Sequence, residues 1–169
     1  MRSNVPLPYW SFFWQLILCA FFVHPAMAVT IDTYSDPHDR LYLRIKAETG
    51  KRYLYQNTNS SIAQIANEPA LEDLSSHWYI EASAEPDEYW IRNRVSNEAL
   101  HIESLLGQVE IDTLLTTYTS HRWRFEEDNG AFRIRNAWQL DQYASADTSL
   151  LHEPFDSVDT NQRFILEPL

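Results

Sequence analysis

The strongest constraint on this chain is that it repeats itself. A middle unit opens on Tyr89-Trp90-Ile91-Arg92-Asn93 and closes on Ser120-His121-Arg122-Trp123. An earlier unit opens on Leu43-Arg44-Ile45-Lys46 and closes on Ser76-His77-Trp78. A later one opens on Phe132-Arg133-Ile134-Arg135-Asn136 and closes on Gln162-Arg163-Phe164. The opening isoleucines Ile45, Ile91 and Ile134 stand 46 and 43 residues apart, and the closing aromatics Trp78, Trp123 and Phe164 stand 45 and 41 apart. Two independent landmarks report one period, which marks a single supersecondary unit used three times. One unit cannot bury its apolar face alone. Three closed around an axis can, and they leave few open edges. The units are read as about 41–86, 87–130 and 131–169.

Within each unit the local signal is strand. Leu41, Leu43 and Ile45 alternate with Tyr42, Arg44 and Lys46, and Phe132 and Ile134 alternate with Arg133 and Arg135. Val109 and Ile111 alternate with Glu110 and Asp112. Period two places one face in a core and one in water. Asn129-Gly130 supplies the two positive φ angles of a type I′ turn, joining a strand over 123–126 to one over 131–135. Residues 84–88 make the corresponding join earlier. The only helical flavour lies over 66–74, where Pro69 opens one turn. A large aromatic once per unit is core before it is anything else, so Trp78, Trp123 and Phe164 are assigned structural roles.

Residues 1–28 read as a leader rather than as fold. Arg2 precedes a mostly apolar run over 9–23, too short for a comfortable membrane span, and Ala26-Met27-Ala28 fits a signal-peptidase site. Cleavage after Ala28 is expected, with an uncleaved anchor as the alternative. The one cysteine, Cys19, falls in that run behind Ile17 and Leu18, which is the wrong context for lipidation. The mature chain from Val29 then has 141 residues and no disulfide, so its stability comes from its core. It carries 12 basic and 24 acidic residues, a net charge of −12. That surface repels nucleic acid, anionic lipid and sulfated polymers. The expected location is secreted or periplasmic, without membrane insertion once the leader is gone. Residues 29–40 form a polar lead-in, in which Asp36-Pro37-His38-Asp39 reads as a turn and not as a metal cluster.

Catalytic signatures are absent from the sequence: no Gly-x-Ser-x-Gly, no His-Glu-x-x-His, no phosphate loop. Carboxylate pairs are expected by chance among 24 acids, and glycosidase chemistry needs two at a defined separation. No enzyme activity, cofactor or metal is therefore expected. His101 and His152 sit near apolar positions, as hydrogen-bonded structural histidines do. Asn59-Ser60-Ser61 is a glycosylation sequon.

Asn161-Gln162-Arg163-Phe164 resembles the Gln-x-Trp signature of the ricin-type lectin β-trefoils. Ser120-His121-Arg122-Trp123 and Ser75-Ser76-His77-Trp78 keep the tryptophan and lose the glutamine. Ile91-Arg92-Asn93 and Ile134-Arg135-Asn136 are similar to that family's first strand. The resemblance covers about 41–169. It implies an all-β fold, a six-stranded barrel capped by three hairpins, with the closing aromatics in the shared core. It also implies sugar binding, commonly of galactose type, through an Asp after the first strand, an aromatic platform after the third, and Asn or Gln at the unit's end.

Here the chain departs from the family. Taking Leu54, Leu100 and Tyr143 as the matching apolar residues, Tyr55, His101 and Ala144 stand where the Asp belongs. With only 3 glycines, the loops are not the usual ones either. By the resemblance, a site belongs in the third unit. Phe155 would be the platform, Asp141 and Asn161 would take hydroxyls, and Gln162 would contribute or brace the loop from below. A second reading has Phe155 plugging the barrel's bottom. The expected function is a monomeric, non-catalytic carbohydrate-binding module with a glycan or glycoconjugate partner. The alternative is a protein-binding trefoil, such as a hydrolase inhibitor, that has lost the sugar.

Overall fold

The computed structural model describes residues 40–103 and 107–169. The leader, its cleavage site, Cys19, most of the lead-in and the turn at 36–39 lie outside the described residues. Twelve strands follow in chain order: β1 (Leu43–Ala47), β2 (Arg52–Gln56), β3 (Ala63–Asn67), β4 (Trp78–Ala82), β5 (Tyr89–Asn93), β6 (Ala99–His101), β7 (Glu110–Asp112), β8 (Trp123–Asp128), β9 (Ala131–Asn136), β10 (Gln142–Ala146), β11 (Leu150–Pro154) and β12 (Phe164–Pro168). Three single 3-10 turns, Leu74–Ser76, Thr119–His121 and Thr160–Gln162, each precede a closing aromatic.

Six of the strands make a ring. β1 pairs with β4, β4 with β5, β5 with β8, β8 with β9, β9 with β12, and β12 with β1, all antiparallel. Closure removes the open edges that a flat sheet of these strands would expose. The other six form three hairpins, β2–β3, β6–β7 and β10–β11. The hairpins meet through bridges Ile62 to Glu110, Gln64 to Ser149 and Gln108 to Leu151, and so cap one end of the barrel. The threefold organisation expected from the repeat, and the barrel and cap implied by the family resemblance, are the architecture found.

The core is the repeat seen in space. Ile45, Ile91 and Ile134 and the aromatics Trp78, Trp123 and Phe164 form one buried cluster. Burying an indole requires a partner for its N–H. Trp78 Nε1 donates to the Leu54 carbonyl at 3.1 Å and Trp123 Nε1 to the Leu100 carbonyl at 2.9 Å. Phe164 has no N–H to satisfy. The residue paired with it on the neighbouring strand changes too: Trp78 pairs with Asn93 and Trp123 with Asn136, but Phe164 pairs with Ala47. Both asparagines are fully buried, and each donates back to the preceding turn, Asn93 to Ser75 O at 3.0 Å and Asn136 to Ser120 O at 2.9 Å.

Two expectations need correction. The helical turn placed over 66–74 is instead the 3-10 turn Leu74–Ser76, capped by Asp73, while Ala66 and Asn67 finish β3. The β2–β3 ladder, pairing Arg52 with Asn67 through Gln56 with Ala63, holds those residues extended. The third unit is also one residue out of the register read from sequence. Lys46, Arg92 and Arg135 pair with Tyr53, Ala99 and Tyr143, so Tyr143 corresponds to Tyr53, and Ala144 corresponds to Leu54 and Leu100. The loop from Asn136 to Tyr143 is one residue longer than its two counterparts. Ser145, not Ala144, therefore matches Tyr55 and His101.

Candidate functional site

In the second unit, Leu100 and Ile102 both enter the core, which turns His101 between them to the other side of the strand. The 3-10 turn Thr119–His121 then lays His121 on it, the two imidazoles stacked at 4.6 Å between centroids and 9° between planes. Ile102 N–H donates to Ser120 O and fixes strand to turn. Asn136 adds the third wall: while its amide holds Ser120 O, its side-chain oxygen accepts from Trp138 N–H at 2.9 Å and Gln139 N–H at 3.3 Å. One buried asparagine thus ties the Trp138 loop to the His121 turn.

The result is a cleft of about 410 Å³ with the histidine pair in its wall, Glu103 and Asp112 beside them, and Tyr118 and Trp138 at the rim. Tyr118 and Trp138 are 56% and 49% exposed, so their rings are open to a ligand. Aromatic faces with a few convergent polar groups are the usual make-up of a small-ligand site.

The histidines are held neutral. Burial, then the neighbouring His101, lowers His121 to about 4. Burial also lowers His101, against the pull of Asp112 and Glu103. Glu110 moves the other way, raised by burial and by its contact with Glu103. His101 Nε2 lies 3.9 Å from Glu110 Oε2, beyond hydrogen-bonding distance. Among the described residues, neither lysine nor arginine lines the cleft. Among the described residues, no three His, Cys, Asp or Glu side chains gather as a metal site.

The third-unit residues lie elsewhere, and none of them lines this cleft. Asp141 is exposed just before β10, and Phe155 follows β11; the register that pairs Gln142 with Pro154 sets these two positions side by side at the hairpin's open end. Phe155 is 54% exposed, so it does not plug the barrel. Its ring is 5.2 Å from Tyr143 and lies under the Arg133 guanidinium at 5.0 Å. Gln162 is 1% exposed and fastens both sides of Phe155, donating to Pro154 O at 2.7 Å and accepting from Asp156 N–H at 3.0 Å. Its amide is spent on the loop. Asn161 accepts from Arg52 Nη2 at 2.7 Å and so faces the first unit.

Sequence reasoning named neither Tyr118 nor Trp138; it placed His121 as a departure and His101 both as a departure and as a hydrogen-bonded structural histidine, whereas the buried His101 Nε2 has no hydrogen-bond partner among the described residues. A signal was present: the glutamine of the closing motif and the aspartate after the first strand are both replaced by histidine in one unit. Trp138 carried no signal, because it arrives from the next unit's first loop.

No protein-family model and no curated protein sequence matches the chain. Solved structures do. A GlcNAcα1-4Gal-releasing endo-β-galactosidase from Clostridium perfringens matches with TM-score 0.71 and 17% identity, over 76% of this chain and 32% of the enzyme. A Polyporus squamosus lectin, bound to the human-type influenza-binding epitope Neu5Acα2-6Galβ1-4GlcNAc, matches with TM-score 0.66 and 17% identity, over 77% of this chain and 49% of the lectin. The BEL β-trefoil matches with TM-score 0.67 and 15% identity, over 82% of this chain and 97% of that protein. The chain is a β-trefoil. At these identities the likeness shows the fold alone. The trefoil also spans only 32% of the enzyme and 49% of the lectin.

Proposed function

We propose that this β-trefoil is an exported, non-catalytic glycan-binding module and that the second-unit cleft is its site. The observation that carries the reading is the pairing of half-open Tyr118 and Trp138 rings with Asp112, Glu103 and the histidines in one cleft. An aromatic face covers the C–H side of a sugar while carboxylates and imidazoles take its hydroxyls. That a lectin and a glycan-releasing enzyme share the fold supports the same class of ligand.

The test is a glycan array followed by variants. Trp138→Ala and Tyr118→Ala should each weaken the best array ligand by about tenfold or more, the scale of losing one aromatic anchor, with the melting temperature within a few degrees. Phe155→Ala serves as the comparison. Loss of binding with Phe155→Ala, while both rim variants bind normally, would return the site to the third unit with Asp141 and Asn161. An empty array, together with specific capture of a protein from culture supernatant, would favour the protein-binding alternative.

A further inference from the structure

The three units can be compared at the gap where each meets the next. Each gap has the same three walls: the end of a hairpin strand, the turn before a closing aromatic, and the loop that opens the following unit. In the second unit these are Ile102, the turn Thr119–His121 and the Trp138 loop, and together they line the cleft. Strand pairing matches Tyr53, Ala99 and Tyr143, so the residues just ahead of them, Arg52, Glu98 and Gln142, are equivalent. Each ends the loop that walls one gap. The same registers make Gln56 and Ala146 the counterparts of Ile102 on the opposite wall.

Two of the gaps are bridged. Arg52 donates to Ala146 O at 2.8 Å and to Asn161 Oδ1 at 2.7 Å, joining its loop to the hairpin end and the turn of the third unit. Glu98 accepts from Gln56 Nε2 at 2.7 Å, and Ser96 donates to the Gln56 oxygen at 2.7 Å, joining the second unit to the first. In the remaining gap Ile102 is apolar, and Gln142 turns onto its own hairpin, its oxygen accepting from His152 Nδ1 at 3.2 Å. Two further positions change at the same gap. Five residues before the closing aromatic, Asp73 and Asp159 spend their carboxylates capping the turn, on Ser75 N–H at 3.0 Å and Asn161 N–H at 2.9 Å. Tyr118 stands there in the second unit, makes no such cap, and leaves its ring half open. Trp138 stands where the other two gaps have Val95 and Thr49.

We propose that the trefoil binds through the second-unit cleft alone, and that residue 142 decides this by standing clear of a gap whose equivalents are bridged by Arg52 and Glu98. This rests on the glycan-binding reading above and sets its valency. A bridged gap has already spent its polar groups on protein partners. A sugar must break those bonds to enter, a cost that the open cleft does not carry. The bridged gaps also lack the aromatic faces that cover the C–H side of a sugar. With one site, each chain takes hold of one glycan and does not cross-link two, as an anchoring module does.

The probe is an array of printed neutral, sialylated and sulfated glycans, read with the parent and with variants. Gln142→Arg copies Arg52 into the open gap, with Glu103 and Asp112 in the lining to draw the guanidinium across. It should lower every signal of the parent by at least about tenfold, and so should Tyr118→Ala combined with Trp138→Ala. Arg52→Ala and Glu98→Ala remove the two bridges and should keep every signal. Melting temperatures show which variants are folded, and Gln142→Lys takes the place of Gln142→Arg if the latter is not. Any glycan still held at full strength by the folded double variant would reveal a second site and overturn the proposal. Parent-like binding by the folded residue-142 variant would overturn it as well. So would loss of binding in folded Arg52→Ala or Glu98→Ala, which would place a live site in a bridged gap. Each of these results leaves glycan binding standing, whereas a parent that binds nothing on the array removes both readings.

Discussion

At the scale of single residues, the same position is filled by different chemistry in the three units, and each choice brings its own requirements. Trp123 is fully buried and its N–H is satisfied by Leu100 O. Trp123→Ala should therefore cost about 3–5 kcal/mol, the range for deleting a large buried aromatic, and denaturant unfolding measures it. A domain of this size holds roughly 5–15 kcal/mol in total, so the variant should be partly unfolded. An unchanged midpoint would mean that Trp123 is not the centre of the core. His121 adds a pH dependence. Its group titrates at about 4 in the folded protein and at 6.5 when free. Between those values the unfolded chain holds a proton that the folded chain lacks, so stability falls as pH drops through the window and is complete above it. The facing groups are His101, which deepens the shift, and Asp112, which opposes it, with Tyr118 packed alongside. Glu103 and Glu110 face His101 in turn. His121→Gln installs the residue that the third unit carries at the matching place. It should recover roughly 1–3 kcal/mol at about pH 5 relative to its effect at neutral pH. Parallel stability–pH curves for variant and parent would rule this out.

At the scale of elements, the joins between units decide how the strands meet. β8 and β9 are linked by Asn129 and Gly130 with φ of 52° and 84°. The two strands run to Asp128 and from Ala131, so the hairpin is tighter than a reading that ends at Glu126. A Cβ on Gly130 would touch nothing within 4 Å, so the whole penalty of a substitution there is conformational. Gly130→Ala should cost about 1–2 kcal/mol, the cost of a side chain in the left-handed region, and should leave glycan affinity unchanged because the turn is not part of the cleft. A melting temperature equal to the parent's would show that the turn relaxes to another type. The hairpin β6–β7 and the turn Thr119–His121 matter differently. They belong to one unit, yet the cleft is finished by Trp138 from the loop after β9.

At the scale of the whole molecule, the closed ring holds together a domain whose residues 29–169 contain no cysteine and so no disulfide. Its stability rests on three aromatics, three isoleucines and strand pairing with no free barrel edge. Export is read from residues 1–28, and mass spectrometry of the secreted protein should find Val29 at the N-terminus. Full-length chain in the membrane fraction would contradict it. The sequence by itself determined three like β units, because a period of this size and alternation within it admit few ways to bury one aromatic per unit; the barrel came with the family resemblance. It determined Trp78, Trp123 and Phe164 as core for the same reason, and it left Gln162 with two roles, a sugar contact or a brace of the loop. Only the tertiary structure brought the residues of the cleft together. Register in the third unit turned on one inserted residue in the loop before Tyr143, which pattern reading cannot count across a loop. Phe155 and Asp141 lie together by pairing, but the cleft formed in the second unit, where a stacked histidine pair and a tryptophan from the neighbouring unit converge. Periodicity reports which residues face inward along one strand. It carries no information about side chains that meet from strands, turns and loops distant in sequence.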